Sequence, residues 1–192
     1  MKRPAHPPVA RPRPRKGAAV ACGAAALALG ALVAAQLGGF RVNSTASMPR
    51  GLWHVAPVAA AAPLQRGEIV SVCLPDAPPL REAAARGYVQ AGSCPGGYEP
   101  LVKPVAAVAG DTVAVAPEGL AVNGLPVEGT AQLARDSAGR PLQPLAPGAY
   151  RVEPGQVWLL SGHDPRSFDS RYFGPVPAAN VLGVARPVLV IP

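Results

Sequence analysis

Apolar positions divide the chain into one long uncharged segment near its start and a series of short apolar runs after it. Residues 17–40 contain no Asp, Glu, Lys or Arg. At a rise of ~1.5 Å per residue, about 20 helical residues cross the hydrocarbon core of a bilayer, whereas the apolar core of a secretory signal is usually ~7–15 residues. The segment therefore predicts a transmembrane anchor. Ala-x-Ala triplets such as Ala26-Leu27-Ala28 leave a cleaved signal as the alternative.

The short runs that follow are rich in β-branched residues and predict strands. Asn123-Gly124 is a strong signal for a two-residue β-hairpin between two of them. Residues 128–150 are polar and interrupted by Gly and Pro, which predicts a long loop or insertion. The predicted fold class is mainly β. We expect an antiparallel β domain that is docked at a membrane and preceded in the sequence by one N-terminal transmembrane helix. The predicted strands are residues 68–72, 101–108, 112–116, 120–122, 125–127, 156–160 and 181–191.

Composition agrees with strands and turns rather than a helical bundle. The 192 residues include 25 Pro and 21 Gly, and 49% are hydrophobic. Proline removes a backbone donor and clashes inside a helix, and glycine weakens one, while the apolar fraction is large enough for a core.

Positive charge is concentrated at the N-terminus. Residues 1–16 carry six bases and no acid, so most of the net charge of +7 belongs to this tail and not to the rest of the chain. A nucleic-acid-binding face would need Lys and Arg gathered on the folded domain, so no nucleic-acid partner is predicted. Basic flanks stay preferentially in the cytoplasm. The sequence therefore predicts a cytoplasmic tail (1–16), an anchor in the inner membrane (17–40) and an exported, periplasmic β domain (41–192).

Three cysteines fit this topology. Cys22 lies in the apolar segment, whereas Cys73 and Cys94 lie in the exported part, where disulfides persist. They show no CxxC spacing and no His at zinc-ligand spacing, so the sequence predicts no metal and no cofactor. We expect a Cys73–Cys94 disulfide that staples an irregular excursion, with two free thiols as the alternative.

Three polar elements stand out from the apolar pattern. Ser47 lies in Ser-Met-Pro-Arg-Gly, which by itself is ordinary turn chemistry. Lys103 is the single cation in the apolar run 101–108, so it either extends to solvent or is desolvated. Desolvation lowers the pKa of a lysine, as a general base requires at neutral pH. Residues 161–176 are dense in polar groups and, taken alone, resemble a solvated loop.

Taken together and in this order, these elements resemble the type I signal peptidases, a family of Ser–Lys proteases. The resemblance covers roughly residues 40–190, and Ser-Met-Pro-x-Gly is similar to the conjugal-transfer (TraF) subgroup of the family. The sequence departs from the general enzymes at His163-Asp164, at Pro104 after the lysine and at Ala109 before Gly-Asp. The matching blocks are residues 47–49, 66–70, 103–113 and 167–176.

The resemblance implies a catalytic pair. Ser47 would be the nucleophile and Lys103 the general base, and His54 and His163 would form no histidine triad. The main-chain N–H of Ser47 and the hydroxyl of Thr45 would face the oxyanion. The resemblance assigns supporting roles around the lysine to Ser167, Asp169 and Arg171.

The same resemblance implies a substrate at the membrane. Seven residues separate Ser47 from Phe40, so an extended chain keeps the nucleophile within ~25 Å of the apolar segment. The expected substrate is a membrane-inserted precursor cleaved after small residues, and the subgroup implies a conjugative pilin. Other conjugative transfer components would be partners, and release of the product by hydrolysis or by cyclisation stays open.

Two other functions also remain open. One is a general leader (signal) peptidase, and the other is a non-enzymatic, membrane-anchored β domain of a pilus or envelope assembly. In the second case Ser47 and Lys103 would lie far apart.

Overall fold

The computed structural model describes residues 16–58 and 63–191, in two units of which the first ends at Gly38 and the second begins at Gly39. The basic tail predicted at 1–16 lies outside these residues except for Lys16, where the first helix begins. Each unit is a separate body with its own local structure.

In the first unit, the described residues form one helix, α1 (Lys16–Leu37). From Gly17 to Leu37 it is long and apolar enough to cross a membrane, and it agrees with a single-pass anchor. Its large apolar side chains are exposed, as they are in a helix whose solvent is lipid. The helix ends three residues before the predicted boundary, because Gly39 adopts a positive φ of 86° and Phe40 already belongs to a strand.

The second unit consists of two antiparallel sheets, which confirms the predicted fold class. The larger has the strand order β1-β2-β11-β3-β4-β9-β10 and the smaller β7-β6-β5-β8. Strand bounds are β1 (Phe40–Asn43), β2 (Gly51–Pro57), β3 (Ile69–Val72), β4 (Leu101–Val108), β5 (Thr112–Ala116), β6 (Gly119–Val122), β7 (Leu125–Val127), β8 (Gly148–Arg151), β9 (Gln156–Leu159), β10 (Val176–Pro177) and β11 (Val181–Val190). Helical segments are α2 (Pro78–Ala85), α3 (Ser170–Phe173) and a 3-10 turn (Ala178–Asn180).

Alternating side chains on β4 place the core of the larger sheet. Lys103, Val105 and Ala107 are buried, whereas the residues between them are half-buried. Ala107 and Trp158 of the larger sheet pack with apolar residues of the smaller sheet, and Val105 belongs to a second cluster that extends to α2. Lys103 therefore lies on the same face of β4 as the buried aliphatic side chains of Val105 and Ala107.

The structure differs from the predicted elements mainly around Ser47 and Cys73. β1 and β2 flank Ser47 and were not predicted, because their mixed polar and apolar residues show no clear alternation. The excursion expected to be irregular contains α2, which starts with Pro78 at a position where proline favours helix entry. The region 128–150 is a loop as predicted, but its last residues form the start of β8.

That loop is fixed to its surroundings by side chains. Asp136 accepts hydrogen bonds from Tyr88 and Arg140, and Arg86 donates to the carbonyl of Pro141 at 2.7 Å. Leu133 and Leu145 extend the attachment to α3, since Leu145 N donates to the Arg171 carbonyl at 2.7 Å. The loop is therefore part of the folded domain beside residues 161–173.

The structure contains the Cys73–Cys94 disulfide, which encloses α2. A loop of this length contributes about 3 kcal/mol in the chain-entropy treatment of the unfolded state. We predict that Cys73→Ser combined with Cys94→Ser lowers the free energy of unfolding by about that amount, measured by urea unfolding of the full-length protein in detergent.

The exposed free thiol Cys22 provides the matched control, because Cys22→Ser removes a cysteine without opening the loop. Mass spectrometry of the non-reduced wild type is expected to show two hydrogens fewer than after reduction. Two freely alkylated thiols at Cys73 and Cys94 would contradict the bridge.

Candidate active site

Ser47 lies in the nucleophile loop, which we define as residues 44–50 between β1 and β2. The serine is half-buried, and the next residue, Met48, is buried against Trp53 and Ala185, with Val102 of β4 at the edge of the same cluster. Burial of Met48 therefore holds the loop on the sheet that carries Lys103.

Asn43, the last residue of β1, fills the inside of this loop. Its Nδ2 donates to the carbonyls of Thr45 (3.1 Å), Met48 (3.0 Å) and Pro49 (3.0 Å). Its Oδ1 accepts from the main-chain N–H of Thr45 at 3.3 Å and from the Thr45 hydroxyl at 2.8 Å. The Thr45 hydroxyl is thus engaged within the loop, and its role at an oxyanion stays a prediction. Sequence reasoning missed Asn43, although Asn two residues before Thr is a known local turn signal.

Lys103 is almost fully buried on β4, with 2% of its surface exposed. Its Nζ donates to Ser167 Oγ at 2.7 Å. Burial lowers the pKa of Lys103 to about 8; the charge of Arg171 acts in the same direction, while Asp169 and Asp164 oppose it. About one molecule in ten then carries the free amine at pH 7, against about one in three thousand for an ordinary lysine.

Asp169 and Arg171 form an ion pair with no exposed side-chain surface. The two carboxylate oxygens accept from Arg171 Nε and Nη2, each at 2.8 Å. Asp169 also caps α3 by accepting from the main-chain N–H of Arg171 at 3.2 Å. This bidentate geometry is the strongest form of Arg–carboxylate contact.

The remaining donors of Arg171 fix the loops around it. They reach main-chain carbonyls of Gly129 (3.2 Å), Ala131 (3.2 Å), Pro165 (3.0 Å), Ser161 (3.4 Å) and Ser167 (3.0 Å). Because Ser167 is held through its own carbonyl, its hydroxyl is presented to Lys103 from a rigid segment.

Gly129 and Gly162 allow these loops to meet. A Cβ on Gly162 would lie 2.2 Å from the Glu128 carbonyl oxygen, and one on Gly129, at φ 69°, would lie 2.5 Å from the Gly162 carbonyl oxygen. Any other residue at either position would force the segments apart.

Ser161 joins the nucleophile loop to this network. Its buried hydroxyl donates to the main-chain carbonyl of Ser47 and lies 3.9 Å from Met48 Sδ. Its own N–H donates to Asp169 Oδ2 at 3.1 Å. A continuous set of hydrogen bonds and the Asp169–Arg171 ion pair therefore connects Ser47 with Lys103. Sequence reasoning placed residue 161 in a polar loop but did not identify this contact.

The two histidines discussed in the sequence occupy different parts of the second unit. His54 is on β2, opposite Phe40 and Arg186, and its ring packs edge-on against Phe40 at 5.1 Å. His163 is exposed, and its main-chain N–H donates to the Ser161 hydroxyl at 3.3 Å. Within residues 16–58 and 63–191, no group of three or more His, Cys, Asp or Glu side chains is arranged to hold a metal.

Comparison with known proteins adds the family. Residues 15–190 match the family described as signal peptidase, peptidase S26. The chain is 43% identical over 182 residues to the probable conjugal transfer protein TraF of Sinorhizobium fredii, covering 92% of this chain and 93% of that protein. It is 44% identical over 167 residues to the conjugal transfer protein TraF of Agrobacterium fabrum (86% and 92% covered). It is 39% identical over 174 residues to a plasmid transfer protein TraF of Escherichia coli (91% and 94%).

A solved structure is also similar to part of the chain. The signal peptidase I of Enterococcus faecalis aligns with a TM-score of 0.36 and 24% identity, covering 64% of this chain and 97% of that one. The family match and the curated relatives each span most of the sequence. The chain therefore belongs to the signal peptidase family, peptidase S26.

Proposed function

We propose that this protein, a serine endopeptidase by family, works through a Ser–Lys dyad in which Ser47 is the nucleophile and Lys103 the general base. The observation that carries the proposal is the state of Lys103. It is a buried lysine with a pKa of about 8, its amine is hydrogen-bonded to Ser167, and it belongs to the same network as the Ser47 carbonyl. A lysine in such a state can accept a proton near neutral pH.

In the acylation step, Ser47 Oγ attacks the scissile carbonyl carbon while its proton passes to Lys103 Nζ. The carbonyl oxygen becomes an oxyanion that faces the main-chain N–H of Ser47, with the Thr45 hydroxyl as a second donor once it leaves Asn43. The Lys103 ammonium then gives its proton to the leaving amine as the C–N bond breaks. An acyl-enzyme ester on Ser47 results.

In the deacylation step, Lys103 takes the proton of an attacking water or amine. The ester bond to Ser47 then breaks as the Lys103 ammonium returns a proton to Ser47 Oγ, which regenerates the free serine and the neutral lysine. Water gives a linear carboxylic product. The amino terminus of the same precursor would give a cyclic one. Ser167 keeps the lysine amine oriented in both steps, and Asp169 with Arg171 keeps Ser167 in place.

We further propose a conjugative pilin precursor as the substrate, within a system of other transfer components. Support comes from the relatives, which are named conjugal or plasmid transfer proteins. The apolar helix Gly17–Leu37 would anchor the protein in the inner membrane with the β domain on the periplasmic side, where a membrane-inserted precursor emerges.

The test uses the full-length protein in detergent micelles with two substrates. One is the pilin precursor of the same transfer system, and the other is a synthetic peptide with an apolar stretch followed by an Ala-x-Ala site. Preferential cleavage of the pilin supports the conjugal function, whereas equal or better cleavage of the synthetic peptide supports a general leader peptidase. A linear product is one water heavier than a cyclic product, so mass spectrometry identifies the second step.

Ser47→Ala is expected to abolish cleavage, with a loss of at least ~10³-fold in kcat, because no hydroxyl remains to form the acyl-enzyme. The matched control is Ser44→Ala, an exposed serine of the same loop, which should retain wild-type activity. Cleavage by Ser47→Ala at the wild-type rate would overturn the proposed nucleophile.

Activity should depend on the neutral form of Lys103. Since its pKa is lowered to about 8, kcat/KM is expected to fall about tenfold per pH unit below that value and to level off above it. Lys103→Arg should be inactive at every pH from 6 to 10, because a guanidinium keeps its proton in this range.

Lys16→Arg is the matched control for the lysine substitution, because it makes the same change outside the β domain. It should leave the pH profile of cleavage unchanged. Full activity of Lys103→Arg would make Lys103 a positioning cation and would require another base.

Asp169→Asn should destabilise the protein, because it leaves the Arg171 guanidinium buried without its counter-charge. Loss of one partner of a buried pair typically costs about 3–5 kcal/mol. The measurements are the urea midpoint and the cleavage rate of the same preparation. Asp76→Asn removes the acid of an exposed pair with Arg81 and should change neither quantity appreciably. Equal stability of the two variants would contradict the role of Asp169 as a brace.

A further inference from the structure

Side chains hold the nucleophile loop from two sides. The proposed Ser–Lys dyad does not require these contacts. From inside the hairpin, Asn43 donates to three carbonyls of the loop, those of Thr45, Met48 and Pro49. From outside, the Ser161 hydroxyl donates to the carbonyl of Ser47. Ser161 is itself fixed, because its N–H donates to Asp169 and its carbonyl accepts from Arg171.

These contacts bracket one particular peptide group. The main-chain N–H of Ser47 belongs to the peptide between residues 46 and 47. The preceding peptide is held by Asn43 through the Thr45 carbonyl, and the following peptide is held by Ser161 through the Ser47 carbonyl. Since each peptide is planar, holding the groups on both sides fixes the positions of the Cα atoms of residues 46 and 47, so the Ser47 N–H and side chain cannot be displaced with the loop. The motion that remains is rotation of the 46–47 peptide about the line between these two atoms.

We infer that Asn43 and Ser161 are positioning residues that preorganise the Ser47 N–H and hydroxyl for the tetrahedral intermediate. The inference rests on the proposed role of Ser47 and deepens it. An oxyanion donor is effective when it is already aimed at the developing charge and needs no rearrangement. A displacement of about 1 Å in such a group can cost ~10²-fold in rate.

Asn43→Asp is the sharpest single change. It keeps the size of the side chain and its acceptor oxygen, but it replaces the amide donor with a carboxylate oxygen that repels three carbonyls. The matched control is Asn180→Asp, because Asn180 Nδ2 donates to a single carbonyl, that of Cys73, at 2.9 Å. Ser161→Ala removes the second anchor.

The readouts are steady-state cleavage of the synthetic Ala-x-Ala peptide by the full-length protein and hydrogen exchange of the segment that contains residues 44–50. For Asn43→Asp and Ser161→Ala we expect kcat to fall ~10–100-fold with KM within about twofold. For Ser161→Ala, which introduces no charge, the apparent pKa of kcat/KM should stay at the wild-type value, because the Lys103–Ser167 hydrogen bond is retained. Exchange should rise in the 44–50 segment, and the double variant should lose less than the product of the single losses.

Three results would overturn the inference. They are a wild-type kcat in Asn43→Asp, faster exchange spread over the whole β domain, and a shifted pH profile in Ser161→Ala that traces the effect to Lys103. Failure of the proposed function is recognised separately. Cleavage by Ser47→Ala would show that Ser47 is not the nucleophile, while the exchange data would still show whether Asn43 and Ser161 order the loop.

Discussion

Burial of the Arg171 guanidinium is the constraint on which the arrangement of the site depends. A fully buried cation must find an acceptor for each donor and a counter-charge, since leaving either unmet costs several kcal/mol. Asp169 supplies the counter-charge, and the carbonyls of residues 129, 131, 161, 165 and 167 supply the other acceptors. The loops that bear these carbonyls are therefore drawn around one side chain.

Lys103 is buried in the same network, but its hydrogen-bonding environment is the opposite of that of Arg171. Its Nζ donates to a neutral hydroxyl instead of a carboxylate, and desolvation dominates its pKa. Asp169 raises the pKa of Lys103, whereas Arg171, its ion-pair partner, lowers it. The two effects therefore partly cancel. The ion pair thus gives Lys103 rigid, polar surroundings without strongly stabilising the protonated form of the lysine. Rigidity and a low pKa are both needed by a lysine that works as a base.

Ser161 connects the nucleophile loop to the Asp169–Arg171 ion pair. Ser161 is attached to Asp169 and Arg171 by its main chain and to Ser47 by its hydroxyl. Asn43 and the buried Met48 complete the attachment from the side of the hairpin. The two halves of the proposed dyad come from β4 and from the β1–β2 hairpin, which share one sheet through β11 and β3, so their relative position rests on strand pairing and side-chain contacts and not on chain connectivity.

Elements with local signals could be predicted from the amino-acid sequence alone. A continuous apolar run indicated β4 with Lys103 in it, Asn123-Gly124 indicated a hairpin, and the uncharged segment indicated the helix. The motifs also nominated Ser47, Lys103, Ser167, Asp169 and Arg171 as one set, and the structure joins them in one network. Asn43 and Ser161 were missed, because their importance lies in the groups that they meet. Ser161 meets Ser47 across 114 residues, and Lys103 meets Ser167 across 64. The burial of Lys103 beside Ser167 and the hydrogen bond to the Ser47 carbonyl depend on how the chain packs. Desolvation and hydrogen bonding are properties of the packed surroundings, and no local sequence pattern records them.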